Sequence, residues 1–331
     1  MAAWPKRKAM KKFSSFFLLP VISAVLGCSP AAPSKVLNPQ TFSKVTDLTE
    51  AFNPQVDILF VMDNSGSMAE HQTNLARNID LFTTAFSKLN LSYHLGVTSS
   101  DASDGGRLQG SPSFVDNTTV NGAQVFGQNL RLGTDGSPEE HFFDPVVQAL
   151  GPQNLAGANH GFLRNGFLVV IFITDAEDQS TYNDPKTTFD FLTNLKGNKK
   201  YLLSYGVIVP SNSTTDCPRD DGTLPAKIES FLGMFQNAPK NVMDLCSVDY
   251  GTRLAAFSKD IANVVGSTIF LNRIPDVRSI TVSYGTQIIQ PDADHGWAFD
   301  AEKNAVILGP NISFSNQPLG TQVNVSYNPI N

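Results

Sequence analysis

Phe167-Leu168-Val169-Val170-Ile171-Phe172-Ile173 offers no polar side chain before it reaches Thr174. A strand apolar on both faces has to be covered on both, which marks the centre of a parallel sheet. A second run, Val56-Asp57-Ile58-Leu59-Phe60-Val61-Met62, ends at Asp63. Parallel neighbours need crossover connections, usually helices. Between the two runs Leu75, Ile79, Phe82 and Phe86 recur at helical spacing, so a long helix packs one face on the sheet. Tyr93 to Thr98 and Tyr201 to Val209 read as further strands. Leu254, Phe257, Ile261 and Val264 trace a late helix, and Ile269-Phe270-Leu271 closes the series. The alternation predicts an α/β class with a doubly wound, mostly parallel sheet over 55–272, long enough to bury one large core.

Two segments depart from this pattern. Residues 100–133 are rich in Gly, Ser, Asn and Asp with little period, which predicts a long loop or small hairpin insertion on the rim of the loop that follows the first apolar run. From Arg278 the period changes to two: Ile280, Val282 and Tyr284 alternate with polar residues, as do Val323, Val325 and Tyr327. This predicts a small all-β module over 273–331, too short to stand alone and therefore packed on the main domain.

The first 27 residues read as an address. Lys6, Arg7, Lys8, Lys11 and Lys12 precede an apolar stretch from Phe13 to Gly27, too short for a membrane span and suited to a signal peptide. Val25-Leu26-Gly27-Cys28 resembles the lipobox of bacterial lipoproteins, which implies acylation of Cys28 and a lipid anchor in the cell envelope. Ser29, rather than Asp, after the Cys points to the outer membrane; the alternative is an ordinary signal peptide with an incidental Cys. Residues 28–54, with Ser29-Pro30-Ala31-Ala32-Pro33, suit a flexible tether. Loss of 1–27 removes five of the 24 Lys and Arg and none of the 30 Asp and Glu, taking the net charge from −6 to −11. So acidic a body argues against nucleic acid as a partner. Cys217 and Cys246 remain in a compartment where disulfides persist, and bridging them would contribute about 3–4 kcal/mol in the chain-entropy view; the alternative is two free thiols.

Chemistry concentrates where the first apolar strand ends. Asp63-Asn64-Ser65-Gly66-Ser67 places a carboxylate and two hydroxyls at alternate positions on a tight loop, at the strand end where ligands bind in open α/β sheets. Hydroxyl, water and carboxylate oxygens suit a hard cation such as Mg²⁺, with Mn²⁺ or Ca²⁺ as the other choices. A strand-to-helix turn using Asp, Asn and Ser as caps is the plainer alternative.

This Asp-x-Ser-x-Ser loop, with Ile171-Phe172-Ile173-Thr174-Asp175 following in order on a second strand end, resembles the von Willebrand factor A domain over roughly 55–272. The resemblance implies a Rossmann-like fold with a metal-ion-dependent adhesion site. Ser65 and Ser67 would then ligate the cation directly and Asp63 and Asp175 through waters, while a third loop supplies one more hydroxyl. In Gly133-Thr134-Asp135-Gly136-Ser137-Pro138-Glu139-Glu140 two residues qualify: identity favours Thr134, and spacing to Phe142, Phe143, Val146 and Val147 favours Ser137. Ser137-x-x-Glu140 also reads as a capping box with Pro138 opening a helix. Glu177 and Asp178, crowded beside Asp175, receive no direct role. Asp101-Ala102-Ser103-Asp104 and Asp292-Ala293-Asp294 miss calcium-loop spacing and read as turns.

Catalysis finds no obvious nucleophile: there is no Gly-x-Ser-x-Gly, P-loop or His-Glu-x-x-His. The expectation is a non-enzymatic, lipid-anchored binding module without a small-molecule cofactor, which takes a carboxylate from a protein or surface partner onto its cation. The alternatives are a Mg²⁺-dependent phosphatase resembling the haloacid dehalogenases, which has Ser65 where that family carries a second Asp, and a metal-independent structural lipoprotein.

Overall fold

The two apolar runs become neighbouring strands of one sheet. The structure, a computed structural model, describes residues 48–330 apart from 53, 89, 90, 221, 319 and 320. The leader over 1–27, Cys28 and the tether as far as residue 47 lie outside the described residues. In chain order β1 (Leu48–Ala51) leads into β2 (Gln55–Met62) and, past the Asp63 loop, α1 (Ala69–Lys88). Next come β3 (Ser92–Ser99), β4 (Phe114–Asp116), α2 (Gly122–Asn129), α3 (Phe143–Ala149) and α4 (Pro152–Ala156). β5 (Phe167–Ile173), α5 (Pro185–Lys196), β6 (Leu202–Ile208), α6 (Ala226–Leu232), β7 (Val242–Asp244) and α7 (Tyr250–Ser267) complete the α/β layers. The remaining strands are β8 (Thr268–Phe270), β9 (Thr281–Tyr284), β10 (Gln287–Ile289), β11 (Trp297–Asp300), β12 (Ala305–Leu308) and β13 (Val323–Tyr327).

The main sheet has the order β4-β3-β2-β5-β6-β7, parallel throughout except for β4 at one edge. β5 is buried at every position, as a central strand with helices on both faces requires. Alternation along each strand divides the core: Ile58, Phe60, Met62, Val169 and Ile171 face α1 and α7, whereas Leu59, Val61, Val170 and Phe172 face α3 and α6. All four residues of the α1 stripe are buried, and Phe82 meets Phe60 edge-on at 5.6 Å. From β2 the chain moves first to β3 on one side and later to β5 on the other. That reversal opens a crevice at the C-terminal end of β2, where the Asp63 loop begins.

Burial also explains the one charge in the β2 run. Asp57, fully buried, accepts from the Arg164 Nε at 2.7 Å and the Arg164 backbone N at 2.6 Å. A buried carboxylate needs such a partner.

The chain is thus an α/β protein with a mixed, mostly parallel six-stranded sheet and separate antiparallel sheets, ordered β1-β13-β9-β10 and β11-β12-β8. Several boundaries differ from the sequence reading. β1, within the stretch expected to be tether, pairs with β13, and β8, expected to close the α/β series, pairs with β12. A three- or four-residue strand has too few hydrogen bonds to stand without partners, and these partners are remote in sequence. The 100–133 insertion carries β4 as a short edge strand and also a helix, α2, whose Phe126 packs on Phe60 at 5.2 Å. No helix opens at Pro138; α3 starts at Phe143. Cys217 and Cys246 form a disulfide. Among the described residues no helix is long and apolar enough to cross a membrane.

Candidate functional site

Parallel strands end their hydrogen bonding at one edge of the sheet, and the loops leaving that edge carry the chemistry. Asp63 follows β2 and donates its backbone N to the Ile173 carbonyl at 3.0 Å, which ties the loop to the end of β5. Its side chain is fully buried; Oδ1 accepts from the Ser65 N at 2.8 Å and Oδ2 from the Thr174 hydroxyl at 2.6 Å. Gln72, on the first turns of α1, donates to the Asp63 carbonyl at 3.1 Å and to the Gly133 carbonyl at 2.8 Å, and accepts from the Gly133 N. One buried amide thus locks the first loop to the third.

The hydroxyls continue the chain of contacts. Ser65 Oγ lies 3.0 Å from Ser67 Oγ, and Ser67 donates to Asp175 Oδ1 at 3.1 Å. Asp63, Ser65, Ser67 and Asp175, drawn from loops more than 100 residues apart, therefore form one connected set of oxygens. Ser67 is exposed and Asp175 is 4% exposed, so the set runs from the interior to the surface.

Neither third-loop hydroxyl joins this set. Ser137 Oγ accepts from the Glu139 N at 3.0 Å, a local turn, and the Ser137 N donates to Asp101 at 3.2 Å. Thr134, half-buried, follows the glycine held by Gln72, and no described hydrogen bond links it to the four oxygens. Instead the loop is pressed against Asn64: the Gly136 N donates to the Asn64 carbonyl at 3.0 Å, and a Cβ at 136 would fall 2.5 Å from the Asn64 side chain. The capping box does not form. Glu140, 1% exposed, takes the Ser100 hydroxyl on Oε2, while Oε1 is buried with no hydrogen-bond partner among the described residues.

The acidic cluster Asp175-Ala176-Glu177-Asp178 divides by task. Asp178 accepts from the Phe142 and Phe143 backbone N at 2.9 and 3.3 Å and so caps α3. Glu177 accepts from the Lys227 and Ile228 N at 2.7 and 3.4 Å at the start of α6. Only Asp175 turns to the Ser67 side. Asp220, absent from the sequence reading, donates its backbone N to the Asp175 carbonyl at 3.3 Å. Its loop is stapled by Cys217 to Cys246, which follows β7. The two turns differ: Asp101 accepts from the Ser103 N on one carboxylate oxygen and from the third-loop Ser137 N on the other, whereas Asp292 accepts from the Asp294 and His295 N of its own turn.

Electrostatics at this edge is strained in one direction. Burial, then the Asp63 charge, pushes Asp175 up to about 6, and the same two causes push Glu140 up to about 8. Burial also raises Asp63, against hydrogen bonds from Thr174 and Ser65. Among the described residues no Lys or Arg forms an ion pair with these three. No group of three or more His, Cys, Asp or Glu side chains among them is arranged to hold a metal ion. A cation here would depend on the serine hydroxyls. Oxygen-only donors, carboxylates without cationic partners and a buried unbonded carboxylate oxygen fit a hard divalent ion, which lowers the cost of ionising all three.

No protein-family model and no curated protein matches the chain. Among solved structures it is similar to the pilus adhesin SpaC from Lactobacillus rhamnosus GG, at 12% identity and a TM-score of 0.37, over 85% of this chain and 41% of that one. It is also similar to proximal thread matrix protein 1 from the mussel byssus, at 11% identity and a TM-score of 0.38, over 69% of this chain and 52% of that one. The chain thus spans about half or less of each of those two chains.

Proposed function

We propose that the C-terminal edge of the parallel sheet is a divalent-cation site of the von Willebrand factor A type, and that the chain is a cation-dependent binding module of the cell envelope. The observation that carries this reading is the continuous path Asp63–Ser65–Ser67–Asp175, built from two loops and reaching the surface at the exposed Ser67 hydroxyl. Ser65, Ser67, Asp63 and Asp175 would hold Mg²⁺ or Mn²⁺, directly or through water, and the ion would supply a Lewis-acidic position facing solvent. A carboxylate from a protein or surface partner is the oxygen such a position favours. The leader and Cys28 would tether the module to the outer membrane by lipid.

The test is direct. Full chain stripped with EDTA is titrated with Mg²⁺, Mn²⁺ and Ca²⁺ by calorimetry, and its melting is followed with and without each ion. One ion per chain and a raised melting temperature are expected, with both lost in Asp63→Ala and in Ser65→Ala/Ser67→Ala. An acidic peptide on a sensor surface should then retain the loaded chain and release it in EDTA. A wild-type chain indifferent to all three ions would end the proposal.

A further inference from the structure

Glu140 is the buried acid that neither the cap reading nor the four-oxygen set explains. Four hydrogen bonds locate it. Its Oε2 takes the hydroxyl of Ser100, the residue after β3, and the Ser100 N donates to the Met62 carbonyl at the end of β2 at 3.0 Å. The same Ser100 hydroxyl lies 3.4 Å from Asn64 Oδ1. The Glu140 carbonyl accepts from the Gln179 N at 2.7 Å, in the loop that follows β5. Because β2 lies between β3 and β5, a residue fastened to the ends of both outer strands sits over the end of the middle one. Asp63 occupies that place, and of all charges it acts on Glu140 most strongly, ahead of Asp220 and Asp175.

The side chain also lacks what a buried acid ordinarily has. It makes no ion pair among the described residues, and Oε1 is unbonded although Glu140 is 1% exposed. A carboxylate oxygen with unused lone pairs in the interior is costly unless something fills them. The helix that Glu140 was expected to cap starts three residues later and is capped by Asp178.

We propose that Glu140 is the third-loop ligand of the cation, in the role expected of Thr134 or Ser137, with Oε1 as the donor atom. The inference rests on the cation reading above. A carboxylate in place of a hydroxyl adds a full negative charge to the donor set, which tightens cation binding and tempers the pull of the open position on an anionic partner.

Mn²⁺ affinity of the full chain, measured by calorimetry on EDTA-stripped protein, tests it. Removal of outer-shell partners alone costs about 10–100-fold in metal affinity, so Glu140→Gln should lose about 100-fold. Glu140→Asp, which keeps the charge and withdraws the oxygen, should fall nearly as far, and Thr134→Ala and Ser137→Ala should bind as wild type. The cation-free melting temperature of Glu140→Gln should equal or exceed that of wild type, which separates lost ligation from lost folding. Wild-type affinity in Glu140→Gln overturns the proposal, as does a loss in Glu140→Gln that Glu140→Asp fully restores, since charge alone would then suffice. A wild-type chain that binds no ion ends the cation reading itself, and this inference with it.

Discussion

Two carboxylates at the sheet edge carry a measurable pH signature. Asp175 rises from its ordinary 3.8 to about 6 and Glu140 from 4.5 to about 8, each by burial first and the Asp63 charge second. The folded chain therefore holds protons that the unfolded chain has already released, and stability falls as pH rises across that interval. His71 opposes this below its ordinary 6.5, because burial lowers it and unfolding there takes up a proton. The clean window lies between 6.5 and 8, where Glu140 dominates. In EDTA the melting temperature should decline from pH 6.5 to 8, and Glu140→Gln should flatten the decline; a wild-type melting temperature that rises instead would contradict it. With saturating Mn²⁺ the slope should vanish, since a bound cation favours the ionised carboxylates at every pH in the window.

At the scale of elements the loops are held by small residues that tolerate no substitute. Gly106, in the β3–β4 connection, has φ +70° and lies so close to α3 that a Cβ would fall 2.4 Å from the Ala149 backbone N. Buried Asn159 completes the clamp, donating to the Gly106 and Ala149 carbonyls at 2.9 Å and accepting from the Leu108 N at 2.9 Å. Gly106→Ala meets both a left-handed backbone and a backbone clash, so it should cost more than about 1 kcal/mol in urea denaturation. A change within error would mean that the loop floats free of α3. The same elements mark how far sequence reading reached. β2, β5 and α1 were legible because burial on two faces, or on one stripe, writes a long apolar period. α2 was not: Gly122-Ala123-Gln124-Val125-Phe126-Gly127 has two glycines and little stripe, and it forms a helix where Phe126 finds Phe60. The Asp-x-Ser-x-Ser loop was legible from a strand end, and Asp175 from the resemblance that pairs a second strand end with that loop. Glu140 was read as a cap because Ser137-x-x-Glu140 fits that local pattern. Its contact with Ser100 depends on which strands flank β2, a fact of sheet order that no local spacing contains.

For the whole molecule, the antiparallel strands complete the α/β layers at the end opposite the candidate site. Phe270 of β8 packs on Phe167, where β5 begins, at 5.9 Å, and on Tyr201, just before β6, at 5.3 Å. Ala305 of β12 belongs to the main core, and β12 hydrogen-bonds to β8. β1, at the front of the described chain, finds its partner in β13 near the end. A chain stopped at 272 would strip β8 and β1 of their partners and bare Ile269 and Leu271, which pack in the antiparallel core, each worth about 1.5–3 kcal/mol of burial. At this size such a loss corresponds to a fall of roughly 10 °C in melting temperature. We therefore expect a single calorimetric transition for the full chain and a markedly lower one, with dye-accessible apolar surface, for the truncated form. Unchanged melting would instead make the tail an independent appendage. Because the bared surface lies at the strand starts and the Asp63 loop at the strand ends, the truncated chain below its transition should keep the Mn²⁺-induced rise in melting temperature. The two ends of one sheet would then divide the work, the starts sealed by remote antiparallel strands and the ends left open to solvent.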